Sequence, residues 1–160
     1  MEPEPDKLSA LIDVVQALEE AGVAYALIGG VAVGIHSGLP RATLDIDIAA
    51  IAAPSRRAVT AVLEGAGLRK TGEFEHRVNF RHPSGEPVQL AFDWTFDAMI
   101  VRAERFELQH VSVMVVARED LIAMKQRAAA DPRQRKSKRL RDRADVELLR
   151  GDVPDADEGW

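Results

Sequence analysis

The sequence has no cysteine. Disulfides and thiolate metal sites are therefore excluded, and a reducing cytoplasm is the natural compartment. No apolar stretch approaches the ~18–20 residues needed to span a bilayer. The N-terminus, MEPEPDKLSALIDVV, is acidic and lacks the basic start and long apolar run of a signal peptide. The four histidines, His36, His76, His82 and His110, make no metal-ligand spacing. There is no internal repeat. These absences predict a soluble, cytoplasmic chain with no membrane partner, and any metal it binds must be held by oxygen ligands.

The 160 residues are 46% hydrophobic and 29% charged, which fits one globular domain with a real core. We expect that domain over residues 1–150, followed by an acidic, mobile tail over 151–160. The net charge of −5 hides an asymmetry. Between Arg133 and Arg143 the run RQRKSKRLRDR has a single acid, Asp142, among its arginines and lysines. The remainder of the chain is strongly acidic. The protein is thus no generic nucleic-acid binder, but this one segment offers a basic face that suits a nucleic acid.

Periodicity orders the elements. Leu8, Leu11, Ile12, Val15 and Leu18 mark an amphipathic helix over Pro5–Glu20. Val23–Ile28 reads as a buried strand, Gly29-Gly30 as a turn, and Val31–Ser37 as a two-turn helix. A strand over Arg41–Ala50 and a helix from Pro54 to Gly65 follow. Gly67–Gly72 is a short strand; RVNFR and PVQLAFDW form a hairpin about His82-Pro83-Ser84-Gly85. A helix over Phe96–Arg105, a strand over Glu107–Val116 and a helix over Arg118–Ala129 come next. The last helix, Arg135–Arg150, is predicted to face inward with Leu140, Ala144 and Leu148. Helices interleaved with strands give an α/β (α+β) domain with helices packed against one sheet.

The chemistry concentrates in LIGGVAVGIHSGLPRATLDIDI, residues 27–48. Asp45 and Asp47 alternate with Leu44, Ile46 and Ile48, so both carboxylates project from one side of a strand, roughly 6–7 Å apart at the Cα level. Two negative groups so close call for a positive partner, most naturally a divalent metal. Glycines after a buried strand let backbone amides approach a ligand, and the start of the next helix favours phosphate. Gly29 and Gly30 therefore suit a triphosphate.

This arrangement resembles the nucleotidyltransferase superfamily, the polymerase-beta-like fold, whose motif is Gly-Gly or Gly-Ser, a spacer and D-x-D. It most resembles the small bacterial branch of AbiEii- and AbiGii-type toxins. The matching blocks are GGVAVGIHSG, RATLDIDI, EDLIAMK (119–125) and RDRAD (141–145), and they cover about residues 23–149. The resemblance implies a nucleotidyltransferase fold with a mixed central sheet. It also implies transfer of a nucleoside monophosphate from an NTP to an acceptor hydroxyl on protein, RNA or tRNA, in a toxin–antitoxin or phage-defence setting with a partner chain, toxin or antitoxin.

Two Mg²⁺ ions (or Mn²⁺) about 3.5–4 Å apart serve such a reaction, with Asp45 and Asp47 as ligands. The resemblance assigns Gly29, Gly30, Arg41, Thr43 and Lys125 to the nucleotide, with Asp142 and Asp145 orienting Lys125 or Arg41. The third metal-binding, catalytic carboxylate falls at Gln89, which cannot act as a base. Asp93, two pairs along the same strand face, is the expected substitute, with Gln89 as support. Without it the reading becomes a catalytically impaired protein that binds nucleotide or a partner as a regulator. An aminoglycoside-modifying enzyme is a third reading, disfavoured because the chain looks short for a separate acceptor domain.

Overall fold

A computed structural model describes residues 5–38, 45–51 and 56–153. Its elements run in the expected alternation. Helix α1 (Pro5–Glu20) is followed by β1 (Tyr25–Ile28), α2 (Gly29–Ser37), β2 (Ile46–Ala50) and α3 (Arg56–Gly65). Then come β3 (Arg69–Glu73), β4 (Arg77–Arg81) and β5 (Pro87–Ala91), a 3₁₀ turn (Trp94–Phe96) and α4 (Asp97–Val101). Strands β6 (Glu104–Leu108) and β7 (Val111–Val115) and helices α5 (Arg118–Ala130) and α6 (Lys136–Leu149) complete the chain.

All seven strands join one mixed sheet, in the order β3-β4-β5-β2-β1-β7-β6. Strand β2 lies at its centre, antiparallel to β1 and parallel to β5. On one face Ile46, Ile48, Val88, Leu90, Val78 and Phe80 are buried in an aliphatic core shared with Leu11, Val14, Val15 and Leu18 of α1 and Leu63 of α3. Alternation along β2, β4 and β5 puts Asp47, Gln89 and Asn79 on the other face. Helices α2, α5 and α6 pack on one another near β1 and β2. Helix α1 is tied to the β4–β5 turn by Lys7 Nζ to Glu86 Oε2 at 2.7 Å. The buried His82 adds a second tie, from Nε2 to Asp13 Oδ2 at 2.7 Å.

Four expectations change. The segment Glu107–Val116, expected as a single strand, holds the end of β6, a turn and β7: a hairpin whose turn residues Gln109 and His110 both have positive φ (45° and 69°). A two-residue turn of that hand matches strand twist, but it is normally announced by Asn or Gly, and neither is present. The helix expected over Phe96–Arg105 is cut to α4, because Glu104 and Arg105 already belong to β6. Strand β5 stops at Ala91, before Asp93.

The inward face of α6 also differs. It is Asp142, Asp145, Val146 and Leu149, while Leu140 is 51% exposed and Ala144 is exposed. The reason is electrostatic: the two aspartates turn in to meet Lys125. Arg41 and Thr43 lie outside the described residues, as do most of the predicted mobile tail and Pro54, the expected helix start.

Candidate active site

The site is built at the C-terminal end of β1 and the N-terminal end of β2. In the antiparallel register Ile28 stands opposite Asp47, so the chain leaves β1 beside that carboxylate. It must turn at once into α2, and Gly29 makes the turn with φ +71°. A Cβ there would sit 2.4 Å from Asp47 Oδ2, well inside van der Waals contact. Only glycine satisfies both the left-handed backbone and the close approach. The N-terminus of α2 has no side-chain cap and no acidic residue in its first turn. Its leading amides therefore keep the capacity to bind an anion.

Asp47 is mostly buried. Burial, and then the nearby Asp45, raise its pKa to about 6, against the opposing fields of Lys125, Arg77 and Lys138. Asp45 accepts a hydrogen bond from Gln89 Nε2 at 3.1 Å. Gln89 pairs with Asp47 across β2–β5 and with Asn79 across β4–β5, so a row Asp47–Gln89–Asn79 crosses three strands on one face.

Lys125 approaches from α5. Its ammonium contacts Asp142 Oδ1 and Asp145 Oδ2, each at 3.1 Å, and Lys138 adds a 3.0 Å contact to Asp142 Oδ2. The Lys125 side chain is 14% exposed and the two aspartates 3%. Burial by itself would raise the pKa of Asp142; the hydrogen bond from Lys138 and the adjacent Lys125 outweigh it and hold the carboxyl below its usual range. Lys125 is thus fixed in place with its charge bearing on Asp47.

The structure accordingly brings together Gly29, Gly30, Asp45, Asp47, Gln89 and Lys125, with Asp142 and Asp145 behind the lysine. Asp93 stands apart. It caps the 3₁₀ turn, its Oδ1 accepting from Thr95 N at 3.0 Å and Thr95 Oγ1 at 2.9 Å, bonds that lower its pKa. Among the described residues no three His, Cys, Asp or Glu side chains gather as a metal-binding group, so Asp93 does not join the pair here. The physical cause is the end of β5 at Ala91: past it the strand no longer carries alternate residues along the sheet face.

Arg118 was not anticipated. It is the first residue of α5, an unfavourable place for a cation on its own helix. Its guanidinium instead donates to the carbonyls of His36 and Leu149, at the ends of α2 and α6. His36 in turn bonds the Val116 carbonyl through Nε2 at 2.7 Å. These contacts anchor α2, and so fix where its N-terminus points.

The donor set fits a divalent cation of the kind that takes one or two protein carboxylates and completes its shell with phosphate oxygens and water. Two carboxylates on one strand face, one with its ionisation disfavoured in the metal-free protein, are suited to that role and not to a closed all-protein cage.

Comparison with solved structures finds the same fold in antibiotic-modifying enzymes. The lincosamide adenylyltransferase LnuA, solved with lincomycin, is similar at 15% identity with a TM-score of 0.62, covering 94% of this chain and 98% of that one. ANT(2")-Ia, solved with adenylyl-2"-tobramycin, is similar at 18% identity and a TM-score of 0.63, covering 92% and 90%. A nucleotidyltransferase-like protein of Paracoccidioides brasiliensis gives 21%, 0.63, 91% and 76%.

No curated protein matches by sequence. Among the described residues no helix is long and apolar enough to cross a membrane. Residues 14–158 match the family model described as nucleotidyl transferase AbiEii toxin, type IV toxin–antitoxin system. With a glycine turn pressed on the second carboxylate of a D-x-D strand and nearly the full sequence matching, this chain belongs to the AbiEii nucleotidyltransferase family.

Proposed function

We propose that this protein transfers a nucleoside monophosphate from an NTP to an acceptor hydroxyl, with Asp45 and Asp47 holding Mg²⁺ and the NTP phosphates. The observation that carries the reading is the contact between Gly29 and Asp47, which sets the uncapped start of α2 beside the carboxylate pair. The amides of Gly29 and Gly30 bind phosphate oxygens, and Lys125, held by Asp142 and Asp145, adds a fixed positive charge. A bound Mg²⁺ supplies neutralisation of phosphate charge and orientation of the triphosphate. The acceptor oxygen forms a bond to the α-phosphorus, the bond to the β-phosphate oxygen breaks, pyrophosphate leaves and the hydroxyl proton passes to water.

Gln89 lies where a third carboxylate is expected and donates to Asp45. Its amide orients that carboxylate and takes no proton. This favours slow turnover, and it also sustains a second reading in which the protein binds nucleotide without transferring it, as a regulator of a partner chain. The cytoplasm, the second metal ion, a toxin–antitoxin role and use of the basic Arg133–Arg143 segment for RNA remain parts of this proposal.

The test is incubation of the purified protein with Mg²⁺ and each α-³²P-labelled NTP, with total RNA and total cell protein as acceptors. Label transfer that disappears in Asp45→Asn supports the enzyme. Mg²⁺-dependent nucleotide binding with no transfer to any acceptor supports the regulator.

A further inference from the structure

On the far side of Asp45 from the glycine turn, strands β5, β4 and β3 carry a pocket of about 450 Å³. Its lining includes Asp45, Gln89, Asn79, Thr71 and Arg81. Three features single it out. First, Asn79 Oδ1 is buried and lacks a hydrogen-bond partner among the described residues. A buried unsatisfied acceptor costs about 1–3 kcal/mol, and here it belongs to a residue that lines the pocket. Secondly, the register of β3 slips between Lys70 and Gly72, so that Thr71 is the extra residue of a bulge and lines the pocket. Bulges re-aim side chains and recur beside functional sites.

Thirdly, Arg81 stands directly opposite Arg69 in the β3–β4 pair. Facing like charges in a sheet are destabilising. No carboxylate among the described residues is paired with either one; Arg81 donates instead to the Gly85 carbonyl at 2.7 Å. The register also fixes where this charge lies. Asp45 is one residue before the Ile46–Val88 pair, and Pro87 pairs with Arg81. Asp45, Pro87, Arg81 and Arg69 therefore follow one row across four strands, which puts the first arginine about 10 Å from Asp45 at ~4.8 Å per strand.

We propose that this pocket is the acceptor subsite and that it takes a phosphorylated sugar, with Arg81 of its lining and Arg69 beside it on β3 binding the phosphate and the Asn79 amide meeting a hydroxyl or amino group of the same molecule. The proposal rests on the nucleotidyl-transfer reading, since it places the reacting hydroxyl beside the metal–nucleotide site. The phosphorylated sugar is a free sugar phosphate or the end of a nucleic acid; both present the same group. A polycationic acceptor such as an aminoglycoside is disfavoured by the same two arginines.

The test is titration calorimetry on the full chain, saturated with Mg²⁺ and a non-hydrolysable ATP analogue so that the nucleotide site is filled. Ribose 5-phosphate, ribose, the dinucleotide adenylyl-adenosine and tobramycin are added separately. Ribose 5-phosphate or the dinucleotide is expected to bind at least tenfold more tightly than ribose. Whichever of the two is tighter identifies the source of the phosphate. In Arg69→Gln/Arg81→Gln that advantage is expected to vanish, while Arg69→Lys/Arg81→Lys retains most of it. Affinity for the ATP analogue is expected to change less than twofold.

A phosphate advantage that survives the glutamine variant would overturn the proposal. So would tobramycin displacing ribose 5-phosphate from the parent protein. Repeating the titration without nucleotide separates the two readings. Phosphate binding that depends on Arg69 and Arg81, in a protein that binds no Mg²⁺–nucleotide, would sink the transferase and leave the anion site standing.

Discussion

The Cα of Gly29 is packed so closely on Asp47 that a β-carbon would lie 2.4 Å from the carboxylate oxygen Oδ2. Backbone turn and metal-binding side chain are therefore one unit: neither moves without the other. Gly29→Ala adds a left-handed strain of about 1–2 kcal/mol and pushes Asp47 off its place. We expect chemical denaturation to show a loss of that order or slightly more, and nucleotide binding to fall at least 100-fold. Gly30→Ala, at a position with an ordinary negative φ, is expected to cost less than 1 kcal/mol in stability. Equal losses in the two variants would mean that the contact with Asp47 does not matter.

Asp47 gives a pH dependence of definite sign. Its folded-state pKa of about 6 lies above the ordinary carboxylate value of 3.8, so between these values the folded protein holds a proton that the unfolded chain releases. This group therefore lowers stability fully above pH ~6 and stops doing so as the pH falls toward 4. Urea denaturation of metal-free protein should show Asp47→Asn more stable than the parent by about 2 kcal/mol at pH 8. The difference should shrink toward zero at pH 4. Added Mg²⁺ should stabilise the parent at pH 8 and leave the variant unmoved. An advantage for the variant that grows as the pH falls would contradict the burial assigned to Asp47.

Lys125 is a partly buried cation between two buried aspartates. Removing one member of such a cluster strands the others, typically at 3–5 kcal/mol. Lys138 still reaches Asp142 and softens the loss, so Lys125→Met should cost about 2–3 kcal/mol. Adding Asp142→Asn and Asp145→Asn to it should recover most of this, because the buried charges are then gone and Lys138, which loses Asp142, is partly exposed to water. NTP affinity, by contrast, should stay low in the triple variant. Stability and binding measured on the same three proteins separate the packing role of the lysine from its role toward phosphate.

How far the sequence reached depended on the range of the interaction. Gly29-Gly30 and the alternation of Asp45 with Asp47 were legible because each is a local pattern with one conformational solution. The order of helices and strands, β6 apart, was legible from periodicity for the same reason. Gln109-His110 was not, since its turn uses the left-handed region without the residues that usually signal it. Leu148 does pack, partly buried, against the core, but the rest of the inward face of α6 was misread because hydrophobicity favoured Leu140, whereas burial went to Asp142 and Asp145, whose partner is 17 or more residues away on α5. Asp93 was assigned by extending β5 past its end. Arg69, Arg81 and Asn79 carry no local signal at all; only the register of β3, β4 and β5 places the two arginines in line with Asp45 and Asn79 in line with Asp47.

Gln89 decides how the carboxylate pair behaves without metal. Its amide donates to Asp45 and brings no charge to a face that already carries two acids. Gln89→Glu exchanges that donor for a third negative group, which also has an oxygen to offer a cation. In metal-free protein at pH 8 the hydrogen bond is lost and like charges meet, so stability should fall by about 1–2 kcal/mol. Lowering the pH to 5 should restore part of it by protonating the cluster. Mg²⁺ should then raise the melting temperature of Gln89→Glu more than that of the parent, because three carboxylates converge where two did. The decisive measurement is thermal denaturation of both proteins at pH 8, with EDTA and with saturating Mg²⁺. If Mg²⁺ shifts the two equally, the side chain at position 89 does not face the metal, and the amide of Gln89 has no part in holding Asp45 for it.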